Sequence, residues 1–129
     1  MIYLDTSAFV KLIRGERETP ALQRFLTEHP GTPLVSSTLL VVETRRAVLR
    51  QAPAQLARTD LLLTRIDQVG ITQAVLEAAS RLPDPTLRSL DAIHLATALQ
   101  LGRDLEALVT YDSRLAEAAE RQQLPIVRP

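Results

Sequence analysis

The sequence predicts an α/β fold: a doubly wound parallel sheet of about five strands with helices on both faces. Two observations carry that prediction. Short apolar runs alternate with stretches of helical periodicity along the whole chain, and strands separated by helices need the crossovers that make a sheet parallel. In addition, two apolar runs, Ile2 to Leu4 and Leu108 to Tyr111, end on a carboxylate, Asp5 and Asp112, just before helix-like stretches. Ligands of open parallel sheets bind beyond such strand ends, where the strand order reverses.

The elements follow in order. Ile2 to Leu4 is the first strand, and Ala8 to Arg14 a short helix closed by Gly15, with Thr6 or Ser7 as its expected cap. Thr19-Pro20 caps and opens a helix that reaches Glu28, because proline suits the first helical position. His29-Pro30-Gly31 breaks it. Pro33 to Ser36 is the second strand, Thr38 to Arg50 a helix, and Pro53 starts another through Arg65. Gln68 to Ile71 is the third strand, and Thr72 caps a helix running to Leu82. Pro83 to Thr86, "PDPT", is a rigid loop. Ser89 caps the helix that Gly102 closes; Leu108 to Tyr111 is the fourth strand, Ser113 to Gln122 a helix and Pro125 to Val127 a short last strand.

At 129 residues, 46% of them hydrophobic and 23% charged, the chain has room for one core, so residues 1–129 are expected to form a single domain. No linker, repeat or low-complexity tract interrupts it. There is no cysteine, which excludes disulfides and thiolate zinc sites. No apolar run approaches the length of a membrane span. The N-terminus lacks a basic lead and reaches Asp5 at once, so no signal peptide is expected and the cytoplasm is the default compartment. Formal net charge is zero, which denies the chain a general basic footprint for nucleic acid. Lys11 is the only lysine; the other cations are arginines, which suit bidentate phosphate contact or simply reflect codon usage.

Four acids are candidates for one pocket. Asp5 and Asp112 leave the sheet along the same edge if their strands are parallel. Asp91 lies in the first turn of a helix and Glu43 about a turn and a half into another, and both helices start from that edge if the crossovers are right-handed. Each acid has a plainer explanation. Asp5 and Asp112 suit helix caps, Asp91 suits the helix dipole, and Glu43 suits an ion pair with Arg46 one turn on. Together those explanations weaken, since a cap requires no particular edge. Clustered carboxylates resist ionising, and a divalent cation removes that penalty. Oxygen ligands without a His or Cys cluster suit Mg²⁺ or Mn²⁺, and such a centre hydrolyses phosphodiesters. The hydroxyls of Thr6, Ser7, Thr110 and Ser113 flank two of the acids and suit either an orienting role or capping, with capping favoured for Ser7 and Ser113. His94, one turn after Asp91, reads as a packed histidine hydrogen-bonded between helices, with proton shuttle as the alternative. Tyr3 and Tyr111 read as core. Arg88, just ahead of the Asp91 helix, is in reach of phosphate or simply exposed.

The segments "YLDTSAFVKL", "SSTLLVVETRRAV", "RSLDAIHLATAL" and "LVTYDSRLAEAA" resemble, in order and spacing, the successive motifs of PIN-domain ribonucleases, above all the VapC toxins of toxin–antitoxin pairs. The resemblance covers nearly the whole chain. It implies a PIN-like, Mg²⁺-dependent endoribonuclease whose acidic quartet is Asp5, Glu43, Asp91 and Asp112, with Thr6 and Thr110 in support. It further implies an RNA substrate, a homodimer and a cognate VapB-like antitoxin whose C-terminal arm lies along the active-site groove. Neutral net charge is a departure, so local arginines such as Arg46 and Arg88 would have to hold RNA. A receiver-type phosphoacceptor wants a lysine at a strand end, and Lys11 lies in a helix. A haloacid-dehalogenase-type phosphatase wants a second Asp where Ser7 stands. A non-catalytic PIN-like binding module and a structure-specific DNA nuclease remain as alternatives.

Overall fold

A computed structural model describes residues 1–129. Five parallel strands are ordered β3-β2-β1-β4-β5: β1 is Ile2–Leu4, β2 Leu34–Ser37, β3 Asp67–Val69, β4 Ala107–Val109 and β5 Ile126–Val127. The two central strands, β1 and β4, are buried at every residue, as continuous apolar runs in a doubly covered parallel sheet should be. Edge strand β3 carries Asp67 and Gln68 exposed to water, which blunts the sheet edge.

Seven helices cover the sheet: α1 Thr6–Arg14, α2 Thr19–Thr27, α3 Leu39–Gln51, α4 Leu56–Leu63, α5 Gln73–Ser80, α6 Ser89–Gln100 and α7 Ser113–Arg121. The period-two alternation of a strand sorts β1 and β4 between two cores. Ile2, Leu4, Ala107 and Val109 join Phe9, Leu22, Leu40, Val48 and Leu63 from α1 to α4 on one face. Tyr3 and Leu108 join Leu95 and Ala98 of α6 and Leu115 and Ala118 of α7 on the other. No helix is long and apolar enough to cross a membrane.

Several local features differ from the sequence reading, Thr19 among them, which is the first residue of α2 rather than its cap. Asp5, not Thr6 or Ser7, caps α1, its side chain accepting the Ala8 N–H, so both hydroxyl residues lie inside the helix. Ser89 is likewise the first helical residue of α6, with Arg88 in the cap position and no side-chain cap bond. The stretch after Pro53 begins as a single 3-10 turn, Pro53–Gln55, and the α-helix that follows, α4, stops at Leu63, short of the expected Arg65. Gly15 ends α1 at φ 65°, the left-handed conformation that glycine adopts without a Cβ clash.

Candidate active site

The strand order reverses between β1, which goes on to β2, and β4, which goes on to β5, so the crevice at their carboxyl ends is the fold's natural binding position. Register does the rest. Leu4 pairs with Val109, so the next residues, Asp5 and Thr110, come out side by side. The Thr110 hydroxyl donates to Asp5 Oδ2 at 2.6 Å, and the Asp5 N–H reaches the Val109 carbonyl at 3.3 Å. Asp5 is only 3% exposed. Its carboxylate is held by the Ala8 N–H at 2.9 Å and by Ser7 Oγ, 2.7 Å from Oδ1 and 2.9 Å from Oδ2. Burial raises the Asp5 carboxyl above the usual carboxylate range, although Thr110, Ala8 and Ser7 all favour the charged form.

Ser7 carries more than the capping role the sequence favoured. While donating to Asp5, its oxygen accepts the Tyr111 N–H at 2.8 Å, tying α1 to the turn after β4. Thr110 Oγ1 accepts the Asp112 N–H at 3.1 Å, so one hydroxyl links Asp5 to the start of α7. Asp112 caps α7 through Oδ1, which accepts the N–H groups of Arg114 at 2.8 Å and Leu115 at 3.1 Å, leaving Oδ2 without a protein partner. Capping and convergence therefore coincide at both strand-end acids. Ser113 makes no cap bond; Asp112 does that work one residue earlier.

Glu43 reaches the same region from α3. Its Oε1 accepts Thr6 Oγ1–H at 2.8 Å and stands 2.6 Å from His94 Nε2. Burial alone would raise its carboxyl, but the hydrogen bonds from His94 and Thr6 outweigh it and hold Glu43 below the usual range. The pairing with Arg46 that the sequence allowed does not form: Arg46 is exposed and makes no ion pair, as is Arg88 beside the start of α6. His94 is packed, as expected, and its other ring nitrogen meets the Tyr3 hydroxyl at 2.7 Å. That Glu43–His94–Tyr3 chain was not legible in the sequence; the one-turn spacing from Asp91 to His94 was the only signal.

Asp91 sits in the first turn of α6, half-buried. Burial raises its carboxyl first, then the negative charges of Asp112, Asp5 and Glu43, with His94 opposing. All four acids thus share one electrostatic neighbourhood. No lysine or arginine forms an ion pair with any of them, the one such contact being His94 to Glu43. The cluster is open: no three ligating side chains close around a point that would hold an ion unaided. The donor set still fits a hard divalent cation. It offers only carboxylates, with partner-free oxygens on Glu43 and Asp112, and Mg²⁺ commonly takes one or two carboxylates and keeps its waters.

Comparison with known proteins agrees. The PIN domain family model matches residues 2–121. The chain is 47% identical over 131 residues to Ribonuclease VapC35 of Mycobacterium tuberculosis, covering 100% of this chain and 97% of that one. It is 28% identical to a chain in a solved toxin–antitoxin complex from Klebsiella pneumoniae, with a TM-score of 0.69 over 88% of each chain. The crystal structure of Mycobacterium tuberculosis VapC20, a sarcin–ricin loop cleaving toxin, shares the fold at 21% identity, with a TM-score of 0.78 over the full length of both chains. With its sheet order, its acid-lined switch point and these relatives, the chain belongs to the PIN-domain family, among the VapC ribonucleases.

Proposed function

We propose that residues 1–129 act as one PIN-like endoribonuclease domain, the Mg²⁺-dependent toxin of a toxin–antitoxin pair, with Mn²⁺ able to substitute. The observation that carries the metal reading is the gathering of four carboxylates, two of them directly after the adjacent strands β1 and β4, with no lysine or arginine paired to any of them; burial and the other three acids push Asp91 up. Asp5, Glu43, Asp91 and Asp112 would hold the ion. Bound there, Mg²⁺ offsets negative charge on the phosphate and makes water a better nucleophile. The chain's own residues do the rest. Thr110, Ser7 and the Ala8 N–H fix Asp5 so that it need not reorganise during reaction. Thr6 holds one oxygen of Glu43, leaving the other free toward ligand or water. Hydrolysis forms a bond from water oxygen to phosphorus and breaks a bond from phosphorus to a ribose oxygen, which leaves with a proton. Arg88 and Arg46, exposed and unpaired, supply phosphate contacts beside the acids.

The ribonuclease name of a 47% identical relative and the toxin–antitoxin complex that contains a 28% identical chain support the substrate class and the partner. We extend the latter to a VapB-like antitoxin. We extend the reading to a homodimer acting in the cytoplasm, for which exposed Val42, Leu49 and Leu61 would offer apolar surface.

Purified protein is expected to cleave single-stranded RNA with Mg²⁺ or Mn²⁺ and to stop with chelator, while Asp5→Asn and Asp91→Asn abolish cleavage. Gel-resolved cleavage that persists in chelator would contradict the metal reading. Expression without antitoxin is expected to slow growth; an equally toxic variant lacking all four acids would separate toxicity from hydrolysis.

A further inference from the structure

We propose that His94 is a positioning residue for Glu43, its donor nitrogen selected by a buried hydrogen-bond chain that starts at the Ser37 backbone and passes through Tyr3. The inference rests on the four-acid metal reading above. His94 is 1% exposed, so RNA does not reach it; what it touches is Glu43, one of the four clustered acids.

The polarity of the chain follows from its first member. A backbone N–H can only donate. The Ser37 N–H lies 3.1 Å from the Tyr3 hydroxyl oxygen and occupies one of its lone pairs. The Tyr3 O–H then has its own proton to place, and His94 Nδ1 stands 2.7 Å away. A neutral imidazole that accepts at Nδ1 carries its proton at Nε2. That nitrogen points at Glu43 Oε1, 2.6 Å distant. Thr6 Oγ1 donates to the same oxygen at 2.8 Å. One oxygen of Glu43 is therefore fixed by two donors, from α1 and α6, and the other has no partner in the protein. A flexible side chain on α3 is held before any ligand arrives, and the arrangement is one in which partners behind a ligating carboxylate tune its metal affinity.

Packing alone does not require this chemistry. Tyr3 and His94 meet edge to face, with centroids 5.9 Å apart and planes at 84°, a contact that any aromatic pair could make. The directed chain from Ser37 to Glu43 is what an apolar ring at position 94 would lose.

The test has three arms. In ¹⁵N-labelled wild-type protein at alkaline pH, two-bond nitrogen–proton correlations are expected to show the proton of His94 on Nε2; a proton on Nδ1 overturns the proposal. Titration with Mn²⁺ alone is expected to show affinity about 10–100-fold weaker in His94→Ala, with partial recovery in His94→Gln, whose amide N–H can reach Glu43. Equal losses in the two variants contradict a donor role. In a Glu43→Gln background, His94→Ala should cost little further affinity, whereas a full additive loss would mark His94 as merely structural. Should His94→Ala fail to fold, Tyr3→Phe keeps the ring and removes the hydroxyl, and it too should weaken Mn²⁺ binding and erase the tautomer preference. Wild-type protein that binds no Mn²⁺ overturns the metal reading, and the positioning role falls with it. Wild-type binding matched by His94→Ala overturns the positioning role alone.

Discussion

Asp91 takes its charge state from burial and from Asp112, Asp5 and Glu43, with no hydrogen-bond donor among the influences on its carboxyl. A first-turn carboxylate gains about 0.3–1 kcal/mol from the helix dipole. Burial and the like charges of Asp112, Asp5 and Glu43 push the Asp91 carboxyl the other way, upward. The consequence for stability has a definite sign. A folded-state value above the unfolded one means that the metal-free native state binds the Asp91 proton more tightly. The penalty is absent at low pH, grows as pH rises from the ordinary carboxylate value to the raised one, and is complete above it. Glu43 behaves oppositely: held low by His94 and Thr6, it contributes stability above the ordinary value that is lost as pH falls. Asp91→Asn should therefore melt higher than wild type in chelator at neutral pH. The gain should be up to about 1 kcal/mol, limited by partial exposure, and it should shrink toward pH ~3, where the carboxylate is protonated anyway. Added Mg²⁺ should raise wild type and not the variant. Thermal melts with and without chelator measure all of this, and a variant less stable than wild type in chelator would show that Asp91 is not under repulsive strain.

At the scale of the element, α7 shows how one residue serves helix and site together. Asp112 Oδ1 accepts two N–H groups at the helix start, and its Oδ2 remains open toward the acids. Substitutions can part the two roles. Asp112→Asn keeps a capping oxygen, so it should lose cleavage while melting close to wild type. Asp112→Ala removes the cap as well and should cost about 1 kcal/mol more. Calorimetry on the two variants, beside a cleavage assay, checks this; equal stabilities would mean that the cap contributes nothing. The same double duty explains what the sequence could and could not reveal. Strand–helix alternation and the acids at strand ends were legible because periodicity and residue type are local properties. The cap of α1 was legible only as a choice among Asp5, Thr6 and Ser7, all good caps; that Asp5 would also be fixed by Thr110 from β4, over a hundred positions away, was not. The Glu43 partner was missed for the same reason: Arg46 was the neighbour along the helix, but His94 was the neighbour in space.

In the whole molecule, a neutral chain must hold a polyanion. On the proposed reading, four acids gather past the carboxyl ends of β1 and β4, so the field there would repel phosphate until a cation is bound. With 15 basic and 15 acidic residues, no long-range excess of positive charge compensates. Net attraction therefore has to come from the few cations near the site that are not committed to partners. Lys11 is engaged by Glu16 and Glu18 and stacked over Tyr111, 4.8 Å from its ring centroid, and Arg45 is paired with Asp60. Arg46 and Arg88, the two expected to hold phosphate, are among the exposed arginines that form no ion pair. Single-stranded binding loses affinity with salt at a slope of roughly −0.7 per phosphate contact. Two such contacts predict a slope of roughly −1.4, shallow for a nucleic-acid-binding protein, and Arg88→Ala should reduce it by about 0.7. The measurement is fluorescence anisotropy of labelled RNA on Asp112→Asn protein with Mg²⁺, across a salt series, so that the strand is bound without being cut. Arg88→Ala in that background should weaken binding alike for unrelated sequences, because a phosphate contact carries no base information. A slope several times steeper, or one that Arg88→Ala leaves unchanged, would mean that RNA is gripped by a surface other than the rim of this crevice.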